Sequence, residues 1–234
     1  MVAIDEAGNM VRFSDKNPNA IETVAIWGTS ARLVGIDVRP SDGQLYGIGA
    51  DGSIYRIHSG DGKVTPMGRM SIGNVGSIAM VDFNPVADRL RVVTADGRSL
   101  RVNVETGETI EDGRLSYVTA KNFTVSAGGY TNSLKGATTT QLYQIDTGNL
   151  ALLLQDPPNA GTLNQVNAIA MTSGTKDMKG GDIITDPRGV SLAYVVRGSR
   201  LYSVAIPSGQ ISLLGQIGPK DNVDFVDVAV VRQD

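Results

Sequence analysis

Asp51-Gly52-Ser53-Ile54-Tyr55-Arg56-Ile57 returns as Asp96-Gly97-Arg98-Ser99-Leu100-Arg101-Val102, forty-five residues further along the chain. The register then holds without a gap from Gly62 against Gly107 to Gly68-Arg69-Met70 against Gly113-Arg114-Leu115. Short alternating strands joined by Asp-Gly turns, repeating at this period, fit a four-stranded propeller blade. One such sheet cannot bury both faces alone and must stack on its neighbours.

Working outward, Gly209-Gln210-Ile211-Ser212-Leu213-Leu214-Gly215-Gln216-Ile217 aligns with Gly62 to Met70, and Leu201-Tyr202 with Ile54-Tyr55. A more diverged copy is carried by Gln141-Leu142-Tyr143-Gln144-Ile145-Asp146-Thr147-Gly148. Val2 to Phe13 aligns with Tyr46 to Ile57 and therefore starts at a second strand. Full copies open with an inner strand, Val34-Gly35-Ile36-Asp37-Val38-Arg39-Pro40 and Ala79-Met80-Val81-Asp82-Phe83-Asn84-Pro85. Phe225-Val226-Asp227-Val228-Ala229-Val230 has the pattern to supply the missing one, with Asp227 read as the counterpart of Asp37 and Asp82. The expectation is an all-β, five-bladed β-propeller in one domain over 1–234, with N- and C-terminal strands sharing a blade. Such closure removes two exposed sheet edges. A six-bladed ring is the alternative if 161–187 hides a further sheet.

Composition narrows the function classes. Among the 28 glycines, Gly43, Gly52, Gly62, Gly97 and Gly113 each follow aspartate in pairs that supply hairpin turns. A formal charge of −3 with mixed signs offers no basic stripe for nucleic acid. No apolar run approaches a membrane span. Met1 abuts strand-like sequence without a leader, which fits a cytoplasmic protein or a mature domain whose leader has been removed. With no cysteine, disulfides and thiolate chemistry are excluded for this chain.

Gly35-Ile36-Asp37-Val38-Arg39-Pro40 with Gly43-Gln44-Leu45-Tyr46-Gly47-Ile48-Gly49, and Val81-Asp82-Phe83-Asn84-Pro85 with Asp88-Arg89-Leu90-Arg91-Val92-Val93, are similar to a bacterial family known as domain of unknown function 4394. Gly129-Tyr130-Thr131-Asn132, Leu142-Tyr143-Gln144-Ile145-Asp146 and Pro157-Pro158-Asn159 add to the likeness, which covers nearly the whole chain. The resemblance implies a propeller-like domain common in exported proteins, hence an extracellular or periplasmic setting, and implies no settled activity. Thr175 to Gly181 departs from the pattern.

Three groups of residues could carry chemistry. Asp37, Asp82 and Asp227 are expected to converge on the central channel, where carboxylates raise one another's pKa unless a cation or donors compensate. Calcium in the channel is the sharper reading. Capping by backbone amides or pairing with arginine is the plainer reading and carries more weight. Arg39, Asn84, Arg89, Arg91, Tyr130 and Asn132 follow or end inner strands and could form a polar mouth for a small ligand. Their plainer reading is packing and pairing with Asp42, Asp88 or Asp96. Arg12, Arg56 and Arg101 recur at one strand position, which points to structure between blades.

The single histidine, His58, has Asn103 as its counterpart and reads as a partly exposed sheet residue, so a histidine-based metal site is excluded. Trp27 reads as ring packing before partner anchor. The segments 121–140 and 172–187 read as long polar connections, which in compact folds are often functional. The resulting expectation is a non-enzymatic binding or interaction module for a protein partner or small polar ligand. A calcium-dependent hydrolase or lactonase is its competitor, and a subunit of a larger extracytoplasmic assembly is a third reading.

Overall fold

The computed structural model describes residues 1–73, 75–117, 122–170 and 177–231. Strands β1 (Val2–Asp5), β2 (Asn9–Ser14) and β3 (Asn17–Ala25) form the first blade with a strand from the far end of the chain. The second blade is β4 (Leu33–Val38), β5 (Leu45–Gly49), β6 (Ser53–Ile57) and β7 (Val64–Arg69). The third is β8 (Ile78–Asn84), β9 (Arg89–Thr94), β10 (Ser99–Val102) and β11 (Thr109–Glu111). In the fourth, β12 (Ser116–Tyr117) precedes β13 (Val125–Tyr130), β14 (Leu142–Asp146), β15 (Ala151–Gln155) and β16 (Thr162–Ala168), and adds in parallel to the outer edge of β16. The fifth is β17 (Lys179–Thr185), β18 (Ser191–Arg197), β19 (Arg200–Ile206) and β20 (Ile211–Gln216).

The last strand, β21 (Phe225–Ala229), returns to pair antiparallel with β1, with Ala3 opposite Val228 and Ile4 opposite Asp227. The ring is therefore a five-bladed β-propeller whose two termini complete one blade. Among the described residues no sixth sheet occurs: 161–187 holds β16, the outer strand of the fourth blade, and β17, the inner strand of the fifth.

The core lies between blades. Tyr46, Ile48 and Ile54 of the second blade pack on Val81, Phe83, Leu90 and Val102 of the third. Tyr194, Val196 and Leu201 of the fifth pack on Ala3, Val11 and Val228 of the first. Each blade thus buries its alternate side chains only because a neighbour is present, the cooperativity expected of stacked repeats.

The repeated turn glycine belongs to the same seams. Gly62 has φ +74, and a Cβ there would stand 2.1 Å from the Ala25 carbonyl oxygen of the preceding blade. Gly107 and Gly209 repeat the arrangement against the Arg69 and Ala168 carbonyls, at 2.2 and 2.4 Å. A side chain at any of the three would collide with backbone that cannot retreat, which is why the sequence register persists there.

Two expectations about the connections change. Part of each segment is not loop, because 125–130 and 179–185 supply the inner strands β13 and β17, while 131–141 is the long connection expected. Their sequences, Val-Ser-Ala-Gly-Gly-Tyr and Lys-Gly-Gly-Asp-Ile-Ile-Thr, lack strand-like alternation because glycine replaces side chains where the strands crowd at the axis. Lys121 and residues 172–176 of those segments, which take in Thr172 and Thr175, lie outside the described residues.

Candidate functional site

The inner strands β21, β4, β8, β13 and β17 are neighbours around the axis. Asp37 stands opposite Tyr46, which stands opposite Arg56. Asp82 likewise stands opposite Arg91, and Arg91 opposite Arg101. In the fifth blade Asp182 of β17 faces Tyr194. One carboxylate oxygen from each of Asp37, Asp82 and Asp182 lies within 4.8 Å of the other two, and all three residues are buried.

Asp227 does not complete this row as the sequence alignment anticipated. The first-blade counterpart of the Tyr46–Arg56 pair is Val2–Arg12, and Val2 faces Ala229, whereas Asp227 faces Ile4 two residues earlier. No hairpin turn links β21 to β1, so no turn geometry fixes their register in the sequence. Asp182 was the member missed. Its signal was Gly180-Gly181-Asp182-Ile183, which like Gly35-Ile36-Asp37-Val38 has glycine two residues before aspartate.

The carboxylates tie neighbouring blades together. Asp37 Oδ2 accepts from the Phe83 N–H (2.6 Å), Asp82 Oδ1 from Tyr130 (2.9 Å) and Asp182 Oδ2 from Val230 (2.7 Å). Asp227 accepts from Ile36 on one side and Gly181 on the other, both at 2.8 Å. Amide capping is therefore the arrangement found, and Asp37 and Asp82 form no ion pair among the described residues. Among the described residues, Asp82 Oδ2 has no hydrogen-bond partner although the residue is 0% exposed.

Burial pushes the Asp37 carboxyl well above the usual range, reinforced by the charge of Asp182. Burial does the same to Asp82, reinforced by Asp37 and Asp182. Asp227 is pushed up to about 7 by burial, against the lowering effect of its amide donors. Carboxylates withdrawn from water resist ionising unless positive charge joins them.

Above this floor opens a cavity of about 510 Å³. Asp37 and Asp182 line its base, Arg39, Ser41, Asp42 and Gln44 one side, and Ser133, Leu134 and Lys135 the other. These rim residues follow β4 and β13, so the turns leaving the inner strands build the channel mouth.

Of the six polar residues anticipated at a mouth, Arg39 alone lines this cavity. Its guanidinium is committed to Asp88 at 2.7 Å and Glu105 at 2.5 Å. Asn84 accepts from the Val86 and Ala87 amides in its own turn, and an Arg89 guanidinium N–H donates to the Asp88 carbonyl. Arg91, 1% exposed, donates to Tyr130 Oη, Ser99 Oγ, Asp112 and Asn159, locking the seam between the third and fourth blades. Asn132 sits in a turn at φ +56, its N–H donating to Thr185 Oγ1. The six do not gather on one cavity: Asn84 and Tyr130 line a separate, smaller one of about 130 Å³, and the arginines and Asn132 are held by structural partners.

Other singled-out residues are structural too. Arg12 pairs with Glu22 and Arg101 with Asp112, each within its own blade rather than between blades. His58 lies just after β6, exposed, against Asp61 at 2.8 Å, and does not line the mouth cavity. Trp27 is 51% exposed, but its backbone bonds Gly62 and Val64 and its indole N–H donates to the Asp61 carbonyl, joining the first two blades.

A closed ring of five blades, four of them four-stranded and one five-stranded, with a polar mouth over buried carboxylates defines a β-propeller of compact size. The chain belongs to the family named domain of unknown function (DUF4394), which matches residues 9–229. No curated protein matches the sequence. Among solved structures it is similar to a structural genomics protein of unknown function from Bacteroides thetaiotaomicron, at TM-score 0.58 and 16% identity, covering 98% of this chain and 63% of that one. It is also similar to the WD40 repeats of RRP9 (TM-score 0.47, 12% identity, 91% and 56% covered). A third is the extracellular domain of BT4673 from B. thetaiotaomicron (TM-score 0.46, 14% identity, 94% and 31% covered). The chain thus spans less than two thirds of the length of these solved chains. Among the described residues no helix is long and apolar enough to cross a membrane.

Proposed function

We propose that this propeller is a non-enzymatic binding module that receives a small polar ligand in the channel mouth, in an extracytoplasmic setting. The observation that carries the reading is the cavity of about 510 Å³ whose base is formed by the buried carboxylates of Asp37 and Asp182. Concave sites with a few fixed polar groups are where small ligands gain contact area and orientation together. The acidic base favours a ligand that presents positive charge downward or shares a cation with the aspartates, while exposed Lys135 at the rim suits an anionic outer end. Extracytoplasmic placement rests on the family resemblance.

The hydrolase reading draws on the raised pKa values of Asp37 and Asp82, since a buried protonated carboxyl can serve as a general acid. Against it, His58 does not line the mouth cavity and the chain has no cysteine nucleophile. The test is ligand-observed NMR with a panel of small carboxylic acids, polyols and amines, repeated on Ser41→Trp, which fills the rim. Binding by some panel members that is lost in the variant supports the reading. Absence of binding, or binding indifferent to Ser41→Trp, contradicts it. Turnover of esters or lactones that disappears in Asp82→Asn would transfer the protein to the enzymes.

A further inference from the structure

We infer that Asp37, Asp82 and Asp182 form a site for one hard divalent cation, calcium before magnesium, entered from the channel mouth. The inference deepens the proposed role of the mouth and rests on that reading for its biological use, though the cation's binding can be measured without it.

Three observations carry it. The three residues come from three different blades, β4, β8 and β17, and bring one oxygen each within 4.8 Å of the others. A separation within that bound admits a hard cation of either size, with Ca–O distances near about 2.3–2.6 Å and Mg–O near about 2.1 Å. Calcium accepts an irregular set of oxygens fixed by a protein, whereas magnesium demands near-ideal octahedral geometry and keeps its water, which favours calcium here. Asp82 supplies the second, independent sign: Oδ2 is fully buried yet accepts from nothing, a costly state for a carboxylate oxygen that a cation would relieve.

The third observation is where the nearby positive charge goes. Arg91 stands directly opposite Asp82 across the β8–β9 ladder, yet its guanidinium is directed to Asp112, Ser99, Tyr130 and Asn159. Arg39, two residues after Asp37 in sequence, is held by Asp88 and Glu105. Neither arginine compensates the aspartates. The donor set is all oxygen, which selects hard cations over zinc or copper. Asp37 and Asp182 also line the mouth, so water or a ligand oxygen can complete the coordination from the cavity.

The test is calorimetric titration of chelator-treated protein with calcium chloride and magnesium chloride, with melting curves in parallel. One calcium per chain, weaker magnesium and a raised Tm are expected. Asp82→Asn and Asp182→Asn, each checked for fold by circular dichroism, should weaken calcium at least tenfold. No heat and no Tm shift in folded wild type overturns the inference, as does full-strength binding in both variants. Repeating the NMR panel with and without calcium separates the two proposals. Calcium binding with no panel member sensitive to Ser41→Trp leaves the cation site standing and removes the ligand role. A Ser41-sensitive ligand without calcium binding does the reverse.

Discussion

Gly129 of β13 and Asp82 of β8 share one small volume: a Cβ on Gly129 would lie 2.6 Å from Asp82 Oδ2. Gly129 faces Tyr143 in its ladder, as Asp37 faces Tyr46, so the fourth blade has glycine where three others place aspartate. The missing side chain makes room for the neighbour's carboxylate. A fourth acid on this row would add both bulk and charge to an already crowded axis.

Gly129→Ala should therefore destabilise the fold by about 1–3 kcal/mol, the usual cost of forcing a methyl group into packed space. The backbone there is not left-handed, so the loss is steric rather than conformational. Urea unfolding reads it as a lower midpoint with unchanged slope. An unchanged midpoint contradicts the close approach.

Stability of chelated protein should fall as pH rises from about 4 to about 7. Asp227 has a folded pKa of about 7 against 3.8 as its ordinary value, so the folded state holds more protons throughout that window. Asp37 and Asp82, also raised, act in the same direction, and Asp182 is the charge that faces all three. Asp88, lowered by its hydrogen bond to Arg39, acts oppositely, its contribution being lost only as pH falls below the ordinary carboxylate range. Urea midpoints between pH 4.5 and 8 should decline, and less steeply in Asp227→Asn. A profile that is flat or rising refutes this assignment.

Arg91→Met should cost about 3–5 kcal/mol, because it leaves a buried polar cluster without its cation. Asp112 retains Arg101 at 2.7 Å, which keeps the loss from being larger. Arg69→Met, which breaks an exposed pair with Asp51, should cost under about 1 kcal/mol. Comparable losses in the two variants would show that burial does not govern these pairs.

The ring was legible where turn chemistry repeats. Asp51-Gly52, Gly62 and Gly107 hold their spacing because positive φ and close backbone contact admit no other residue cheaply. Closure was legible in the alternation of Phe225 to Val230, but its register was not, since the two strands share no turn. Inner strands β13 and β17 are disguised by their glycines, so Asp37 and Asp82 stand out by alignment, while Asp182 shows only in the glycine-to-aspartate spacing that it shares with Asp37. The polar residues expected at a mouth divide between two cavities and the seams for a different reason. Proximity to strand ends says nothing about whether a guanidinium such as Arg91 already has partners.

Everything at the axis depends on β21 closing against β1. Because the chain has no cysteine, Ala3→Cys with Val228→Cys gives a clean cross-link between directly opposed residues from its two ends. Mild oxidation of the folded double variant should form an intramolecular disulfide, read by mass spectrometry and mobility, and raise the Tm. A folded protein in which both thiols stay free under the same oxidation would contradict the closed ring.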